Sequence, residues 1–203
     1  MEPLPLSPAT PQQYRELLET RRSIRLYSDK VPSEEEISKL ISIVSQCPTG
    51  TNSQGITVRV VRGHENVYKL VEPVMKIFRF MSFTGLPHIF GKITGMSEYV
   101  KSFLNGEDVI FKSAPVVLFF HVPRKNVTSG TDGVIAAVAV MNHAAAMGMS
   151  TLWNGVAEKL YPLLRSWHTK GLRGTKLTAV LCIGYPALQQ KWKAPARTYN
   201  LLH

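Results

Sequence analysis

The run "APVVLFFHV" at residues 114–122 is apolar almost without interruption and has the length of a strand. Without alternation it cannot be a half-solvated surface strand, so it predicts a strand buried at the centre of a sheet. "KLTAVLCIGY" at 176–185 predicts a second buried strand, and "ITVRVV" at 56–61 a further one. Between the two buried strands lies "TDGVIAAVAVMNHAAAMG", which predicts a long helix capped by Thr131 or Asp132 and stopped by Gly148. Its small residues allow close packing, either in the core or across a dimer interface.

Other helices carry their own start signals. Thr10, Pro11 and Gln13 supply an N-cap, a first-turn proline and a capping-box glutamine, and that helix should end near the arginines of "RRSIRLY" at 21–27. Ser33 opens another, with Glu34, Glu35 and Glu36 favourable to the helix dipole and an apolar stripe through Ile37, Leu40, Ile41 and Val44. "HENVYKLVEPVMKIF" predicts a helix up to, or kinked at, Pro73, and "AEKLYPLLRSWH" one more. "CPTGTNSQG" is dense in turn formers, and residues 81–107 have no sustained period, which predicts an irregular, lid-like excursion with room for a short helix. The expected organisation is an extended proline-rich arm at 1–10 and one domain over 11–203, since 203 residues suffice for a single sizeable core.

Lys and Arg exceed Asp and Glu by 24 to 14, a net charge of +10 that suits anionic partners. The two cysteines, Cys47 and Cys182, stand far apart, so cysteines of this chain cannot build a zinc site or an iron–sulfur cluster. A reducing cytoplasmic setting is expected. No apolar run reaches the roughly 18 residues of a membrane span, and "MEPLPLSPATP" lacks the pattern of a signal peptide. No metal motif or nucleophile triad stands out. His143 and His121 read as hydrogen-bonded core histidines, and both cysteines as small apolar packers.

Four segments remain: "RRSIRLY", "PTGTNSQ", "GMSTLWNG", and "LTAVLCIGYP" followed by a basic tail. Singly, each has a plain reading as solvated charge, turn, helix cap or strand. In this order, from about residue 11 to 197, they resemble the FMN-dependent nitroreductase family, in the branch whose members often carry a ferredoxin-like domain, absent from this sequence. The resemblance implies an α+β fold, a central, mostly antiparallel sheet flanked by helices, and an intertwined homodimer with two FMN sites at its interface.

It also implies roles for particular residues. Arg21, Arg22 and Ser23 match the FMN phosphate grip, with Arg197, and more weakly Lys193 and Lys191, completing it from the tail. A phosphate calls for such convergent donors, each charge-assisted bond contributing about 1.5–3 kcal/mol. Arg25 matches the basic residue near flavin N1 and O2, where a fixed cation stabilises the charge that reduction creates. A solvated ion pair is the plain alternative for it. Asn52 and Gln54 match contacts to the pyrimidine edge, while Pro48, Thr49 and Gly50 let backbone approach the ring; either side chain would also serve as a turn cap. Trp153, Asn154 and Gly155 match the segment beside flavin N5 and O4. Phe80, Phe83, Phe90, Tyr99 and Phe103 are available for aromatic substrates or for core.

The activity implied is ping-pong, two-electron reduction of nitroaromatic or quinone-like acceptors with NAD(P)H, the flavin carrying the chemistry and no protein acid or base required. A ferredoxin-type donor, or an FMN-binding protein without turnover, are the alternatives of the same cofactor. Nucleic-acid binding is disfavoured, because no motif appears and the aromatics are not interleaved with the charges.

Overall fold

The computed structural model describes residues 10–82, 84–85, 89, 92, 97–125, 127–164 and 172–188. The tail with Lys191, Lys193 and Arg197, the arm before residue 10, Phe83, Phe90 and the side chain of Tyr99 lie outside the described residues.

Helix α1 (Pro11–Thr20) carries the expected capping box, with Gln13 N–H on Thr10 Oγ1 and Thr10 N–H on Gln13 Oε1. Helix α2 (Glu34–Ser42) repeats the device with Ser33 and Glu36, burying Ile37 and Leu40. Short 3-10 turns at Ile43–Gln46 and Gly50–Asn52 lead into strand β1 (Thr57–Arg62). Helix α3 (His64–Ser82) continues through Pro73 and well beyond it, rather than ending there. A helical proline costs about 3 kcal/mol, but Val67, Leu70, Val71, Val74 and Met75 are buried along this helix, at about 1.5–3 kcal/mol each. Burial therefore outweighs the local penalty. Within 81–107 the described residues include helix α4 (Ser97–Leu104), whose Phe103 is buried in the core, whereas Phe80 is 78% exposed.

Strand β2 (Val116–Pro123) is the buried centre the apolar run predicts. Helix α5 (Ser129–Ala146) begins earlier than a Thr131 or Asp132 cap would set it. Asp132 lies inside its first turn and uses its carboxylate elsewhere, on the Gly50 N–H. Its end is as expected: Gly148 takes φ +73°, and the N–H groups of Gly148 and Met149 close on Ala145 and Ala144. Strand β3 (Ser150–Trp153) is too short to announce itself by pattern. Helix α6 (Gly155–Leu164) starts before the expected Ala157, and strand β4 (Thr175–Gly184) completes the set.

The sheet order is β1-β2-β4-β3, antiparallel throughout. One face packs Val116, Leu118, Phe120, Leu181 and Ile183 against α5 and α2. The other packs Val117, Phe119, Val180 and Cys182 against α3 and α6. Helix α5 lies so close that a Cβ on Gly133 would stand 2.1 Å from Thr178 Oγ1. Of the histidines and cysteines read from sequence as core, His121 and Cys182 are buried, while His143 and Cys47 are half-buried. His143 Nδ1 donates to Leu40 O at 3.1 Å, His121 is 2% exposed, and burial pushes the Cys182 thiol up to about 12.

Candidate functional site

The arginine segment leaves α1 in extended conformation and attaches to the β3 edge. Ser23 forms a parallel bridge with Thr151, Ile24 N–H donates to Thr151 O, and Tyr27 bridges to Pro186 beyond β4. The Tyr27 hydroxyl donates back to Ile24 O at 3.0 Å, which holds the turn of chain in place. Arg21 and Arg22 thereby line a cavity of about 170 Å³ together with Gly148, Ser150, Thr151 and Leu188. Among the described residues, the buried side-chain polar atoms without a hydrogen-bond partner are Arg21 Nη1 and Thr151 Oγ1. Both belong to residues of this one cavity.

Extended chain from Arg21 to Arg25 spans about 13 Å, and Arg25 lines a second cavity, of about 620 Å³, with Tyr68, Ser102 and the 106–113 loop. Asp108 organises that loop. Its carboxylate accepts from the Ile110, Phe111 and Ser113 N–H groups, and burial raises its pKa against the pull of those bonds.

Asn154 ties the end of β3 to the same loop. It is 4% exposed; Nδ2 donates to Ile110 O at 2.8 Å and to Cys182 Sγ at 3.3 Å, while Oδ1 accepts from Ala157 N–H and caps α6. Its amide faces inward and fixes the segment. Trp153 is half-buried against the α5-side core, and Gly155 is exposed, with open space where a Cβ would project. Nothing in the chain itself demands glycine at 155.

The "PTGTNSQ" loop lies elsewhere. Gly50 N–H donates to Asp132 Oδ1 at 3.1 Å, and a Cβ at Gly50 would stand 1.9 Å from Thr128 Oγ1, so the residue that precedes α5 leaves room here only for glycine. Gln54 N–H is held by Thr49 Oγ1, and Gln54 Nε2 donates to Asn52 Oδ1 at 3.3 Å. Thr51, Asn52 and Gln54 all adopt positive φ, near 50°. Each such non-glycine residue costs about 1–2 kcal/mol, yet Pro48, Asn52 and Gln54 are exposed. The loop abuts Pro123, which pairs with Thr175 at the start of β4, whereas Thr151 pairs with Ile183 near its end. That separation along the strand is about 25 Å, and the two segments flank opposite edges of the sheet. One chain therefore brings together 21–25 with 150–155, and leaves 48–54 apart from them.

Sequence reasoning misses Thr151, Asp108 and the use made of Asp132. No local signal marks Thr151, because its partner, Ser23, is remote in sequence. Asp108 carried one, as an aspartate in a turn with backbone N–H groups two, three and five residues on.

An antiparallel sheet wrapped by helices, with a basic, extended segment on its edge beside two cavities, defines an α+β protein of the nitroreductase-like fold. The Nitroreductase family profile matches residues 18–185, and the chain belongs to that family. No curated protein matches it in sequence. Among solved structures, it is similar to a nitroreductase with bound FMN from Bacteroides fragilis, at 18% identity and TM-score 0.66, covering 94% of this chain and 99% of that one. An FMN-dependent nitroreductase from Mycobacterium smegmatis in complex with NADPH matches at 19% identity and TM-score 0.66, over 87% and 89%. Oxidized iodotyrosine deiodinase bound to FMN and 3-iodo-L-tyrosine matches at 16% identity and TM-score 0.64, over 94% and 98%.

Proposed function

We propose that the protein is an FMN-dependent oxidoreductase that reduces nitroaromatic or quinone-like acceptors in ping-pong fashion with NAD(P)H. The observation that carries this reading is the pair of buried, unpartnered polar groups, Arg21 Nη1 and Thr151 Oγ1, at a single cavity. A buried guanidinium N–H without an acceptor costs more than an ordinary lost hydrogen bond. A phosphate presents acceptors to both groups, so the residues present fit FMN.

In this reading Arg21, Arg22, Ser23 and Thr151 hold the phosphate, with Lys193 and Arg197 of the tail as further candidates. Arg25, one extended stretch away, places its cation at the larger cavity, where the ring would lie, and favours negative charge on the pyrimidine side. Trp153 and Gly155 border the ring, and Asn154 keeps their backbone in position through Ile110 and α6. Bound FMN supplies two-electron transfer at N5. The chain's part is to bind, orient and polarise. NADPH in the Mycobacterium smegmatis relative supports a pyridine-nucleotide donor.

Pro48, Thr49, Gly50, Asn52 and Gln54 reach this site only from a second copy of the chain. The positive-φ backbone at Asn52 and Gln54, at the opposite edge of the sheet from the arginines of the same chain, supports a homodimer in which each site draws on both copies.

The test is an absorbance spectrum of protein supplemented with FMN and desalted, followed anaerobically after addition of NADH or NADPH. Retained flavin that bleaches is expected. Arg21→Ala should weaken FMN binding about ten- to a hundredfold, the worth of one charge-assisted bond, while leaving riboflavin, which lacks the phosphate, nearly unaffected. Equal losses for both flavins would remove the phosphate grip from this position.

A further inference from the structure

A third cavity, of about 550 Å³, opens at the other end of β4, between the end of β2 and helix α6. It faces the α3 and α6 side of the sheet, and Thr175 on its wall stands about 25 Å along the strand from the Thr151 pairing. The flavin reading makes no use of it.

Its floor is built from three hydrogen-bonded side chains. Thr175 Oγ1 donates its single proton to Leu172 O at 2.7 Å, so it can only accept from His121 Nδ1, at 3.4 Å. His121 Nε2 then carries the lone pair and accepts from the Tyr161 hydroxyl at 3.2 Å. This order fixes the tautomer and orients the phenol. The wall is apolar, from Pro162, Leu172 and Leu177 with the ring of Tyr161. Arg124 and Arg173 complete the lining. Arg124 Nε donates to Thr175 O at 2.8 Å, which fixes that guanidinium and leaves its terminal nitrogens as donors. Lys176 also lines the cavity, but its ammonium lies toward Gly130 of α5. Among the described lining residues none is acidic.

We propose that this cavity is a second binding site, which takes a small organic acid: a carboxylate on an aromatic or otherwise apolar body. The forked donors of Arg124 and Arg173 match a carboxylate, and the phenol and leucines match the body that carries it. An inorganic anion would leave the apolar wall unused, and a neutral aromatic would leave the guanidiniums unused.

Calorimetric titration of the FMN-supplemented protein with sodium benzoate tests the proposal, with inorganic phosphate as the companion titrant. One benzoate per chain is expected, with phosphate binding markedly weaker. Arg173→Ala, an exposed turn position, should weaken benzoate by about tenfold or more. Arg173→Lys, which keeps the charge and loses the fork, should fall between. Arg21→Ala should leave benzoate binding unchanged, and the same titration on protein that retains no flavin keeps this result separate from the flavin reading. Absence of binding at millimolar benzoate overturns the proposal. So does loss of benzoate binding on FMN addition or in Arg21→Ala, which would place benzoate in the flavin site, and so does phosphate binding as tightly as benzoate.

Discussion

Asn154 does three jobs with one amide, and each has a measurable counterpart. Removing it deletes the α6 cap, worth about 1 kcal/mol, and leaves Ile110 O buried without its donor, at about 1–3 kcal/mol. Asn154→Ala should therefore lower stability by about 2–4 kcal/mol in chemical denaturation; a loss below about 1 kcal/mol would show the bonds to be dispensable. The cap was half legible. An asparagine before a helix is a start signal, but Gly155 at the first helical position disguises it and shifts the apparent start to Ala157. His121 supplies a pH dependence. Burial, reinforced by the nearby Arg59 charge, lowers its pKa to about 4. The unfolded chain, with an ordinary histidine near 6.5, then binds the proton first as pH falls. The native state therefore loses stability as the pH falls between those values. His121→Gln should flatten the stability–pH curve between pH about 6.5 and 4, and an unchanged slope would contradict the neutral, buried assignment. That the residue is core was readable from its strand. Its tautomer was not, since Thr175 and Tyr161 meet it only through the fold.

At the scale of elements, α5 packs tightly on β4. Glycine at 133 lets the helix approach until only hydrogen fits against Thr178. Gly133→Ala should cost about 1–3 kcal/mol as an overpacking substitution, seen as a lowered midpoint in thermal denaturation. Full retention of stability would mean that the helix shifts away without penalty. Element identity was largely present in the sequence because the signals are local: paired capping boxes for α1 and α2, Gly148 for the end of α5, unbroken apolar runs for β2 and β4. Where local signals mislead, burial decides. Pro73 reads as a stop or a kink, yet α3 continues past it because its next turn, with Val74 and Met75, is buried. Strand β3 has four residues and takes its identity from β4, so no pattern within 150–153 could declare it.

For the whole molecule, the arginine segment and the "PTGTNSQ" loop lie at opposite edges of one chain's sheet, so a subunit-exchange experiment tests the proposed shared site. On the proposed two-copy site, Arg21→Ala and Asn52→Ala proteins should each be impaired in flavin reduction. Mixed and allowed to exchange, they should recover about a quarter of wild-type activity at equal amounts, because half the dimers are mixed and one site in each draws only intact residues. No recovery, with exchange verified by mass, would mean that both segments serve a site within one chain. The order in which the sheet assembles was not legible, since every pairing that sets it joins segments remote in sequence. The attachment of 23–27 to β3 and to the chain after β4 also bears on solubility. A bare edge strand invites pairing with another molecule, and β3, at the end of the sheet, is covered on its outer side by this basic stretch. Whatever loosens Arg21 and its neighbours also uncovers a template for aggregation, so the same few residues that would grip a ligand act as gatekeepers against amyloid-like growth.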